Sequence, residues 1–170
     1  MTTALSLFVT ACLIACVTDS RARRIPNALT YSAIAIALAF AAFRGPLPFA
    51  EAFGAVVITL LIGSLLLSLG WLGGGDIKLL AAGAATIGFP SFVLVLGYIA
   101  IAGGLFAAIT AARDGRLRTV VTHIVYSLAG KTKIVTDQHA ARVPYALAIC
   151  AGTCYYAASE SIAPWLQFVR

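Results

Sequence analysis

Apolar residues run along this chain in long blocks, and polar residues gather in a few short breaks between them. The first block covers about Thr3 to Thr18, the second about Pro26 to Phe43, and the third Phe53 to Leu72. From Leu79 to Ala112 there follow 34 residues without a charge. A last block covers Val143 to about Trp165, with Glu160 near its outer end. One helix over Leu79–Ala112, at about 1.5 Å per residue, would be roughly 50 Å long, far beyond a ~30 Å hydrocarbon core. The stretch Gly88-Phe89-Pro90-Ser91 supplies a turn that divides it into two spans. The pattern predicts an all-α fold: a single domain over residues 1–170, built as a polytopic membrane bundle of about six transmembrane helices.

Composition agrees. Of 170 residues, 61% are hydrophobic and only 11% charged, with a mean hydropathy of +0.98, whereas a soluble domain is roughly 45–50% apolar and about 25% charged. The first block has no Lys or Arg before Arg21, so the positive leading region of a signal peptide is missing and a retained helix is expected. Ten of the twelve basic residues fall on one side of the expected bundle: Arg21, Arg23 and Arg24; Lys78; and Arg113, Arg116, Arg118, Lys131, Lys133 and Arg142. Only Arg44 and Arg170 fall on the other. The positive-inside rule makes the first side cytoplasmic and puts both termini outside. The net charge of +6 is thereby explained by topology and calls for no nucleic acid, although the 113–142 loop has the charge to lie on anionic lipid.

Most remaining polar residues have ordinary readings. Cys12 and Cys16, and Cys150 and Cys154, are spaced i, i+4 in apolar helices with no His nearby, which suits packing better than zinc. A disulfide between the two helices is conceivable. His123 and His139 show no ligand spacing, and no metal site is expected. Asp114 and Asp137 sit among basic residues of the long loop, and segment 119–129 reads as an interfacial helix. Glu51 and Glu160 fall near helix ends on the opposite side. The glycines at 63, 70, 97, 103 and 104 are expected to permit close helix contact.

Two aspartates are left. Asp19 ends the first helix in "CVTDSRARRIPN", and Asp76 opens the fourth in "LGGGDIKLL", 57 positions away in sequence but at the same depth. Carboxylates at a membrane boundary are costly and mark functional candidates; the plainer reading pairs Asp19 with Arg23 and Asp76 with Lys78. Gly73 and Gly75 can take positive φ and carry no side chain, so substrate backbone can approach Asp76. Two neighbouring carboxylates share a proton at intermediate pH. One then acts as base on a water and the other as acid toward a carbonyl, the chemistry of an aspartyl peptidase, with no metal, cofactor or covalent intermediate. Helix dipoles favour the Asp76 anion and disfavour that of Asp19 by ~0.3–1 kcal/mol each, which makes Asp76 the expected base.

These stretches resemble a known family. "GGGD" at 73–76 fits the G-x-G-D signature of membrane aspartyl peptidases, and "GGGDIKL" is similar to its longer form in type IV prepilin peptidases. "DSRARRIPN", Asp19 to Asn27, resembles that family's D-x-R-x-x-x-I-P-N loop, and "RVPYALAICAG", Arg142 to Gly152, its final-helix opening. The resemblance implies that Asp19 and Asp76 are the catalytic pair, with Gly73, Gly75 and Lys78 at the substrate. It also implies a prepilin or pseudopilin as substrate, cleaved at the cytoplasmic face of the inner membrane. Larger bacterial relatives add a methyltransferase region with a four-cysteine zinc cluster. The compact form here is similar to peptidases of Flp-type (tight adherence) pilus systems, with archaeal preflagellin peptidases a second home. Two rival classes stay open: a presenilin or signal-peptide-peptidase type, which carries Tyr-Asp and Pro-Ala-Leu where this chain has Thr18-Asp19 and "VPYAL", and a non-enzymatic ion-conducting bundle, which calls for acids at mid-membrane depth.

Overall fold

The computed structural model describes residues 3–22, 24–70, 72–89, 91–115, 122 and 145–167, the side chains of the last seven excepted. Six α-helices make up the described chain: α1 Thr3–Ala22, α2 Asn27–Arg44, α3 Pro46–Ser68, α4 Gly74–Ile87, α5 Ser91–Arg113 and α6 Tyr145–Gln167. Four of them, α1, α2, α3 and α5, are long and apolar enough to cross a membrane. The loop residues His123, Asp137 and His139, the expected interfacial segment 119–129 apart from Thr122, and Arg23 with its expected pairing to Asp19 lie outside the described residues.

The breaks fall where backbone chemistry dictates. A single residue, Gly45, joins α2 to α3, at φ 125°, a value that suits glycine. Pro46 follows at the first helical position, where a missing N–H costs nothing. That places the start of α3 seven residues ahead of the expected Phe53 and puts Glu51 within the helix. At the next break, Gly88 at φ 77° ends α4 and its N–H donates to the Ala84 carbonyl, so the expected turn before Ser91 is present.

The fourth helix departs from expectation. It has 14 residues, a length of about 21 Å, too short to cross a ~30 Å core alone. It does not need lipid: Ile77 and every residue from Leu79 to Ala85 are buried. Leu79, Leu80, Ala82 and Ala84 join a core with Phe8, Cys12, Phe92, Val95 and Ile149, drawn from α1, α5 and α6. Ala81 and Ala85 join a second core with Ala37, Ala41, Ala52 and Val56 of α2 and α3. So α4 is the hub, and the longer helices shield its backbone from lipid.

Small residues face inward and large apolar ones outward, the arrangement of a bundle dissolved in hydrocarbon. Leu13, Val17, Leu61, Leu65, Leu94, Ile101 and Leu105 are exposed, while Ala33, Ala37 and Ala41 are buried. Glycine contacts differ in part from expectation. A Cβ at Gly63 would collide with Ile77, but Gly97 and Gly104 face open space and Gly70 takes φ 73° in the turn after α3. Two further close approaches are at Gly83, where a Cβ would lie 2.8 Å from the Phe8 ring, and at Gly152, where it would lie 2.7 Å from the Ile99 backbone nitrogen. The cysteine pairs share the first core: Cys12 and Cys150 are buried in it, Cys16 and Cys154 pack against it, and all four are free thiols.

Candidate functional site

The glycine run is an N-cap. Gly73 caps α4 with extended backbone (φ −80°, ψ 149°), which makes Asp76 the third residue of the helix. From there its carboxylate accepts a hydrogen bond from the Gly73 backbone N–H, the return half of a capping box. The fold-back explains the glycine: a Cβ at Gly73 would lie 2.8 Å from Asp76 Oδ2. Neither Gly73 nor Gly75 takes positive φ; among the described residues the glycines that do are Gly45, Gly70, Gly88 and Gly115. The expected left-handed conformation is therefore corrected. The helix begins at Gly74 and imposes ordinary negative φ on Gly75, whose missing side chain instead admits Ile25, with Ile25 Cβ 3.0 Å from a would-be Cβ.

Asp19, in the last turn of α1, stands within electrostatic reach of Asp76, so the two acids that are 57 positions apart in sequence meet. Both are half-buried. Asp76 precedes the apolar run that starts at Leu79. Burial first, and the Asp19 carboxylate second, push the Asp76 carboxyl up from the ordinary 3.8 to about 6, while the Gly73 N–H pulls the other way. A displacement of that size is worth roughly 3 kcal/mol in favour of the neutral form. The helix dipole offers only ~0.3–1 kcal/mol toward the anion. Burial wins, and Asp76 becomes the member suited to hold a proton, the reverse of the assignment expected from dipoles.

Lys78 turns away from Asp76. Its ammonium donates to Asn27 Oδ1 at 2.8 Å and lies 4.5 Å from the centroid of the Tyr31 ring. Residues two apart on a helix do not share a face, which explains why Lys78 reaches α2 and leaves the carboxylate without it. Asn27 and Tyr31, four apart at the start of α2, do share one. Tyr145, in the first turn of α6, brings its phenol into the field of Asp76.

One end of the bundle thus gathers Asp19 from α1, Asn27 and Tyr31 from α2, Asp76 and Lys78 from α4, and Tyr145 from α6. Sequence reasoning reached the two acids and the glycines but gave no role to Ile25, Asn27, Tyr31 or Tyr145. Ile25 and Asn27 lie inside the quoted loop motif and Tyr145 inside the final-helix motif, and those positions were the available signal. No group of three or more His, Cys, Asp or Glu side chains placed to hold a metal ion is found among the described residues.

A family model described as "Type IV leader peptidase family" matches residues 6–108, more than half of the 170. No curated protein and no solved structure matches the chain. The matched stretch takes in Asp19, the loop through Asn27 and the whole N-terminal turn of α4, and it ends ahead of Tyr145. With that stretch folded into an apolar helical bundle that brings two carboxylates within electrostatic reach at one end, the chain belongs to the type IV leader peptidase family.

Proposed function

We propose that this membrane peptidase is an aspartyl endopeptidase that removes the leader peptide from prepilins or pseudopilins of Flp-type pilus systems. It acts at the cytoplasmic face of the inner membrane, with both termini on the opposite side. The single observation that carries the reading is the meeting of Asp19 and Asp76, with one carboxyl displaced toward its neutral form by burial and by the other.

The chemistry follows from that pairing. Asp19, ionised, takes a proton from a water held between the two acids. The water oxygen attacks the carbonyl carbon of the scissile bond, while Asp76 donates its proton to the carbonyl oxygen. Collapse of the tetrahedral gem-diol breaks the C–N bond as the proton on Asp19 passes to the departing amine and one gem-diol hydroxyl returns its proton to Asp76. Each turnover consumes one water and leaves the pair with its shared proton restored. Gly73 is exposed beside Asp76, which supports close approach of an extended substrate backbone there; Gly75 contributes by seating Ile25. The basic loop after Asp19 belongs to the face at which the leader is cut.

Co-expression with a candidate prepilin tests this reading. The expected result is a mobility shift, with N-terminal sequencing that places the cut after the leader. A prepilin that keeps its leader beside an abundant, membrane-inserted peptidase would contradict the substrate class.

A further inference from the structure

Two contacts fasten the α1–α2 connection to the start of α4, and they bracket Asp76. On one side Ile25 packs onto Gly75, so closely that a Cβ there would lie 3.0 Å from Ile25 Cβ. On the other, the Lys78 ammonium donates to Asn27 Oδ1 at 2.8 Å and sits over the Tyr31 ring at 4.5 Å. The connection that carries Ile25 and Asn27 is also the one that leaves Asp19 at the end of α1. Whatever fixes this connection on α4 therefore fixes the approach of Asp19 to Asp76.

Both partners of Lys78 are neutral, and both are suited to a cation: a side-chain carbonyl oxygen and the face of an aromatic ring. Lys78 is half-buried, so its stem lies against protein and its head is held in place. The influences on Asp76 are burial, Asp19 and the Gly73 N–H, and Lys78 is not one of them. A lysine that acts on the pair as a charge, or that reaches for substrate, has no reason to be spent on Asn27 and Tyr31. We infer that Lys78 is a positioning residue, tied through Asn27 and Tyr31 to the start of α2, and that this tie sets the separation of the two carboxylates. The inference rests on the aspartyl reading of Asp19 and Asp76.

The test is a kinetic series on the full chain in lipid, with a synthetic peptide that spans the leader junction. Lys78→Met should lower kcat by roughly tenfold or more, the scale of a lost charged hydrogen bond. KM and the pH midpoint should stay where they are. Asn27→Ala should do the same, and the double variant should be no slower than either single, because each removes the same tie. Lys78→Arg, which keeps the charge and can donate to a carbonyl over a ring, should recover most of the loss. Asn27→Ala leaves α4 untouched and keeps the test available if Lys78→Met does not accumulate. A rise in KM alone would return Lys78 to the substrate. A displaced pH midpoint would make it a charge on the pair. Multiplied losses in the double variant, or a wild-type rate in Lys78→Met, would also overturn the tie. Asp76→Asn in the same assay separates the two readings: activity that survives it sinks the aspartyl mechanism itself, whatever Lys78 does.

Discussion

Asp76 is subject to opposed influences, and their balance has a consequence in pH. Burial and the Asp19 carboxylate raise it to about 6; the cap hydrogen bond from Gly73 lowers it. If Asp76 is the proton donor, kcat/KM should fall as pH rises through about 6. A pH–rate profile on the purified peptidase checks this, and a profile flat from pH 5 to 8 would remove Asp76 from the acid role. Stability carries the same sign. The folded chain holds this proton more tightly than the unfolded chain, whose carboxyl has its ordinary 3.8. The stabilisation is therefore complete below 3.8 and lost as pH rises through about 6. Asp76→Asn, which cannot ionise and keeps an acceptor for Gly73, should melt no lower than the parent at pH 7. The two acids and the glycine run were legible in the sequence because charge is scarce in it. The use of the glycines was not, since cap geometry and Ile25 packing depend on where the helix begins, and a run of three glycines leaves that start unmarked.

At the scale of elements, α4 is the least like its reading. Its sequence is as apolar as a spanning helix, so hydropathy cannot tell a short buried helix from one that faces lipid. The difference is made by neighbours: Gly63, Gly83 and Gly152 let α3, α1 and α5 come close enough to enclose the core around it. The same absence of a polar face hid the meeting of the cysteine pairs, because nothing in helices surrounded by lipid marks which side turns inward. Gly152 offers the sharpest check. A Cβ there would lie 2.7 and 2.9 Å from backbone atoms of Ile99, and backbone has no rotamer by which to yield. Gly152→Val should force α5 and α6 apart, at a cost of roughly 1–3 kcal/mol from overpacking, seen as a lower melting temperature and reduced membrane abundance. Cleavage per folded molecule should fall less, since Gly152 is two turns from Tyr145 and farther from the acids. An unchanged melting temperature would mean the helices do not meet as described.

Across the whole molecule, the site exists only because distant parts of the chain end at one level. The first helix delivers Asp19 at its C-terminus, the hub delivers Asp76 at its N-terminus, and α2 supplies the partners that hold Lys78. Helix count and the shared depth of the acids could be read from blocks and breaks. The rotation of each helix about its axis could not, and so the Lys78 tie and the nearness of Tyr145 came only with the fold. What the bundle accomplishes is to make two carboxylates act as one unit, and groups that act as one unit lose activity together. The direct measurement is single-turnover cleavage of a leader-junction peptide by Asp19→Asn, Asp76→Asn and the double variant. Membrane abundance is followed alongside, with Asp114→Asn, on an exposed residue beyond α5, as the control that should stay near the parent rate. Each single variant is expected to fall to the residual rate of the double, at undiminished abundance. A single variant that keeps near-parental cleavage, or a double slower than both singles by the product of their losses, would show that the two aspartates do not work as a pair.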